Sequence, residues 1–125
     1  MIYTVGMLCK HFKGSNLLEK NIYRIVSIGV NGCDLSDDIT YTGDNDVESA
    51  TNLVVYANIF QNDKLFAREY DDISSGLSDE KKQQFNQDLK VQPLTEDEIR
   101  FVSTNEFIKA KEVAVNEKFN QKIKK

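Results

Sequence analysis

Hydrophobic and polar residues change their spacing along the chain, and the change falls near Ile73. Before it, apolar positions come in short runs dense in β-branched and aromatic side chains. Ile22 to Val30 (IYRIVSIGV) and Leu53 to Phe60 (LVVYANIF) are both bounded by turn-forming clusters. Such residues suit a pleated, half-buried surface, so both runs predict strands. A first strand is expected from Met7 to Phe12, ending at Lys13-Gly14. Leu65 to Glu69 follows the Leu53 run across Gln61-Asn62-Asp63-Lys64, a link suited to a β-hairpin even without the favoured Asn-Gly pair. Tyr56, Phe60 and Phe66 cannot all face one way by simple alternation, which predicts cover on both faces of the sheet.

Beyond Ile73 the spacing is helical. Ser78 followed by Asp79 and Glu80 is an N-cap with two acids in the first turn, and Leu77, Phe85 and Leu89 give a thin apolar stripe. A helix from about Ser78 to Leu89 follows. Pro93 breaks the pattern, and Thr95 with Glu98 forms a capping-box signature ahead of Ile99. A last helix from Asn105 to about Lys122 places Ile108, Val115 and Phe119 on one face with Ala110 and Ala114 beside them. Its modest stripe predicts a cover packed on the sheet.

Between the strands, Asn31 to Asn52 holds six acids and no base and is far longer than a usual hairpin connection. It is expected to be a mobile excursion, with Ile39 to Thr42 as a short extra strand inside it. With 125 residues, 40% of them hydrophobic, the chain is long enough for one core and too short for two ordinary domains. The expected organisation is a single domain over residues 1–125. In it, a barrel-like part over 1–75 carries the insertion 31–52, and a helical extension over 76–125 packs on that part.

Charge is unevenly placed. Residues 1–30 carry four bases against Glu19, residues 31–100 carry sixteen acids against six bases, and the remainder carries six lysines against three glutamates. Attraction for nucleic acid could come only from the two ends, against the field of an acidic middle. The N-terminus lacks the basic start and cleavage site of a signal peptide, and no apolar run approaches a membrane span, so the expected location is the cytoplasm.

Motifs for chemistry are sparse. Asp44, Asp46 and Glu48 alternate like the opening of a calcium loop, but Ser49 stands where the glycine is needed and Val55 where the closing acid should be. Cys9 and Cys33 with a single histidine cannot build a metal centre, so no metal and no cofactor is expected. His11 could exchange protons near neutrality, and Cys9 lies two positions earlier on the same strand face, yet nothing identifiable orients the imidazole. No phosphate-binding glycine loop is present.

Taken in order, Lys10-His11-Phe12-Lys13-Gly14, Ile22-Tyr23-Arg24-Ile25-Val26, Leu53-Val54-Val55-Tyr56 and Leu65-Phe66-Ala67-Arg68 resemble the bacterial family called Domain of Unknown Function 1653. That family has no established biochemical activity. The resemblance runs from Met7 to about Ile73. Cys9 and Lys10 replace the family's aromatic and arginine, Phe66 its tryptophan and Glu69 its proline. Asp46 stands in place of a second histidine, so no role of that histidine carries over. The resemblance implies an α+β fold, a small SH3-like antiparallel β-barrel followed by C-terminal helices, with about five strands expected to end near Ile73 or to resume near Val91.

Two functional classes fit. The first is a non-catalytic binding module in which His11, Phe12, Lys13, Glu48, Tyr56, Phe66 and Arg68 share one aromatic and basic surface. Its partner would be a protein or a small anionic ligand, with single-stranded nucleic acid as the weaker alternative. The second is a small enzyme using His11 with Glu48 or Cys9. Convergence of His11, Tyr56 and Arg68 in an open pocket would separate a binding site from a buried core.

Overall fold

The β-branched runs become strands where their alternation places apolar side chains on a shared face. The computed structural model describes residues 2–123, with side chains to Glu117. Among the described residues the strands are β1 (Leu8–His11), β2 (Ile22–Val30), β3 (Ile39–Tyr41), β4 (Leu53–Asn58), β5 (Lys64–Glu69) and β6 (Val91–Pro93). The helices are α1 (Tyr70–Ile73), α2 (Asp79–Phe85), α3 (Glu96–Val102) and α4 (Asn105–Ile123). All strands join one sheet in the order β3-β5-β4-β2-β1-β6. The α+β class expected from the sequence is therefore present.

The closed antiparallel barrel is not. β3 pairs with β5 in parallel, opposite Leu65, Phe66 and Ala67, while β6 lies at the other edge on β1. The physical reason lies in the acidic segment 31–52. It supplies β3 to the edge of β5, so the edge that closure would need is already paired, and the sheet stays open and mixed.

That segment is also more than an excursion. Two short 3₁₀ turns, Gly32–Asp34 and Val47–Ser49, lie against each other. Gly32 donates its N–H to the Ala50 carbonyl at 2.8 Å, and a Cβ there would meet the Val47 carbonyl oxygen at 1.7 Å, so only glycine allows the contact. Ala50, Leu53, Val55 and Ala67 form a small core with Leu35, Ile39 and Tyr41 over this end of the sheet.

Two further cores cover the sheet's faces. On one face Cys9, Tyr23, Ile25, Val54, Tyr56 and Val91 pack with Tyr3 and Ile73. Tyr3 donates to the carbonyls of Ile73 at 3.0 Å and Val91 at 2.5 Å, tying the N-terminal arm to α1 and β6. On the other face Ile22, Leu94, Val102 and Phe107 pack with Phe60. Tyr56 and Phe66, directly paired, share one face; Phe60 reaches the other because it lies in the turn beyond the end of β4, where alternation no longer holds.

The helices start where their signals stand, and α4 also ends, at Ile123, close to the expected Lys122; α2 ends early. Ser78 caps α2 by accepting from the Lys81 N–H, but the helix stops at Asn86, which holds φ 50°, ahead of the expected Leu89. Thr95 and Glu98 form the full capping box on α3. α4 buries Phe107 and Lys111, spaced i and i+4, in place of the expected stripe; Ile108 and Val115 are only half-buried, Ala110 is exposed, and the Phe119 side chain lies outside the described residues. Charge is buried here with specific partners. Lys10 donates to Glu98 at 2.6 Å, Lys20 to the carbonyls of Phe12 at 2.9 Å and Phe85 at 3.1 Å, and Lys111 to that of Leu18 at 2.9 Å. Among the described residues no helix is long and apolar enough to cross a membrane.

Candidate functional site

Register across the sheet decides which side chains meet. Cys9 pairs with Tyr23, His11 with Val91, Ile25 with Tyr56, and Tyr56 with Phe66. Residues two apart share a face, so His11, Tyr23, Tyr56, Phe66 and Arg68 all stand on the same side of the sheet. There they line a cavity of about 170 Å³. Thr42, just after β3, Asp72 and Ile73 of α1, Lys90, just before β6, and Val91 of β6 complete the wall.

The floor is aromatic. Ring centroids of Tyr23 and Tyr56 lie 4.6 Å apart, and Phe66 stacks on Tyr56 at 5.9 Å. His11 meets Tyr23 edge-on at 6.5 Å. Burial pushes the Tyr23 hydroxyl up to about 12 and raises that of Tyr56, so both remain neutral donors at pH 7. The outer face of Phe66 carries the exposed Lys64, whose Nζ is 5.3 Å from the ring centroid.

The rim is charged. Asp72 accepts from Lys90 Nζ at 3.0 Å and forms an ion pair with Arg68. Burial raises the Asp72 pKa, but the Lys90 hydrogen bond and the Arg68 charge outweigh it and hold the carboxyl below its usual range. His11 is pushed down to about 4, first by burial and then by the positive charges of Lys13, Arg68, Lys20 and Lys90. Its Nδ1 faces the Lys13 backbone N–H at 3.4 Å, which leaves Nε2 to carry the proton of the neutral ring.

Four of the residues named from the sequence, His11, Tyr56, Phe66 and Arg68, are therefore brought together. Phe12 turns away and packs edge-on against Phe85 at 5.3 Å, beneath Lys81. Lys13 is exposed beyond the end of β1, and Glu48 is exposed in the second 3₁₀ turn, outside the cavity lining. Cys9 is fully buried, and burial pushes its thiol up to about 12. It therefore carries no thiolate for nucleophilic work. Tyr23, Thr42, Asp72 and Lys90 were not foreseen. The register of Tyr23 opposite Cys9 could have pointed to it, whereas Asp72 and Lys90 reach the rim from a one-turn helix and a connecting segment that carry no pattern.

Among the described residues no three His, Cys, Asp or Glu side chains lie together as metal ligands. Comparison with family models, curated proteins and solved structures finds no match.

Proposed function

We propose that this chain is a non-catalytic binding module whose ligand enters the cavity between the sheet and α1. One observation carries the reading: a single sheet face gathers the buried Tyr23 and Tyr56 with the half-buried His11 and Phe66 as an aromatic floor, and Arg68 with Lys90 from the segment before β6 stands at its mouth. Small-molecule sites have this build, an apolar lining with a few convergent polar groups. We read the architecture as an opened relative of the SH3-like barrel, since β1, β2, β4 and β5 follow one another as a meander and β6 returns antiparallel to β1. Kinship with the Domain of Unknown Function 1653 family fits that reading, because the residues that carry the resemblance include His11, Tyr56 and Arg68. The enzyme reading has less to draw on: His11 lacks Glu48 as a neighbour, and Cys9 is a protonated core thiol.

The test is a fragment screen followed by amide chemical shifts on the intact chain, with Arg68→Ala as the control. Binders should perturb His11, Tyr56 and Phe66 together. Arg68→Ala should keep the fold, since its partly exposed pair with Asp72 is worth roughly 1 kcal/mol or less, and should weaken anionic binders more at low salt. Binders that map only to other surfaces, or an Arg68→Ala chain that unfolds, would overturn the site.

A further inference from the structure

The size, lining and charge of the cavity narrow what it can hold; the step rests on the binding reading above. At about 170 Å³ it is smaller than the pockets that take drug-sized ligands, roughly 300–1,000 Å³, and similar to the apolar cavities of about 150 Å³ that take a single benzene ring. The aromatic floor offers ring faces and edges to one planar ring. At the mouth Arg68 and Lys90 contribute two positive charges and Asp72 one negative, with His11 neutral, so one positive charge is left over. Lys13 and Lys64 lie outside the lining and are exposed to solvent, which screens them, and Lys20, also outside it, is held by the Phe12 and Phe85 carbonyls.

That balance decides among ligand classes. Aromatic cages also receive quaternary ammonium groups, but here such a cation would sit beside Arg68 and Lys90 while Asp72 is already engaged by both. A dianion would exceed the single uncompensated charge unless it displaced Asp72. A monoanion matches it, and the planar guanidinium of Arg68 fits a carboxylate by paired hydrogen bonds. We propose that the cavity takes a small aryl monocarboxylate, with its ring on the Tyr56 and Phe66 side of the floor and its carboxylate at Arg68 and Lys90. We further propose that Asp72 is the residue that sets selectivity for one negative charge.

Benzoate, benzamide and phenyl phosphate are the probes, titrated into the intact chain and followed by amide shifts at His11, Tyr56 and Phe66. Benzoate should bind at the cavity at least ten-fold tighter than benzamide and tighter than phenyl phosphate. Asp72→Asn adds one unit of net positive charge and should move the preference toward phenyl phosphate by ten-fold or more. If Asp72→Asn does not fold, Lys90→Gln tests the same balance from the other side and should weaken benzoate while leaving benzamide unchanged. Benzamide matching benzoate at the cavity, or a preference unmoved by both substitutions, would overturn the monoanion assignment and leave the binding reading standing. No cavity shift with any of the three, while fragments of other chemistry do perturb it, would overturn the aryl assignment. Silence of the cavity to every probe and fragment would overturn the binding reading itself.

Discussion

His11 is the chain's one histidine, so its titration can be followed without overlap. Its imidazole is pushed down to about 4 from the usual 6.5 by burial and by four surrounding positive charges. The unfolded chain therefore binds a proton between pH 6.5 and 4 that the folded chain refuses. Stability rises with pH through that window and is lost as pH falls through it. After allowance for solvent screening of a half-buried ring, the loss from pH 7 to 4 is on the order of 2 kcal/mol. The imidazole proton resonance should shift with a midpoint near pH 4, and a midpoint near 6.5 would place the ring in water. His11, Tyr56, Phe66 and Arg68 were singled out in the sequence by the order of their motifs, in one group with Phe12, Lys13 and Glu48; what separates the four from the others is the strand register, which no residue pattern displays. The burial of Lys10 was not legible either: a strand lysine ordinarily faces water, and only the distant Glu98 makes its burial tolerable.

At the scale of elements, the covering helices are held by different means. α3 begins with the Thr95 and Glu98 capping box, and Thr95→Ala should cost about 1 kcal/mol in denaturant unfolding. Phe107 anchors α4 against Phe60, centroids 5.9 Å apart, and against Val102, Leu94 and Ile22. Phe107→Ala should cost about 3–5 kcal/mol, and a loss under 1 kcal/mol would mean that α4 is not docked. The long strands could be read from their β-branched runs, and the β4–β5 link from Asn62 and Asp63, which take φ 55° and 53° where Gly would be usual. Strands were expected either to end near Ile73 or to resume near Val91, and β6 takes the second course, although three residues including a proline make no pattern by themselves. Pro93 is tolerated there because β6 is an edge strand. The single turn α1 was missed because four residues are too few to show a period.

Across the whole molecule, parts distant in sequence are joined by side chains that reach backbone carbonyls. Tyr3 reaches Ile73 and Val91, Lys20 reaches Phe85, and Lys111 reaches Leu18. These ties join the N-terminal arm and the β1–β2 connection to α1, β6, α2 and α4, and they are what makes a single cooperative domain the expected behaviour. The buried lysines turn this into a covalent readout. A small acylating reagent should modify exposed amines such as Lys13 and Lys64 at once and spare Lys10, Lys20 and Lys111, each under a tenth exposed. Under mild destabilisation those three amines should become acylated together, as a single jump in mass. Stepwise acylation, with Lys111 modified well before Lys10, would instead show α4 detaching on its own while the sheet remains folded.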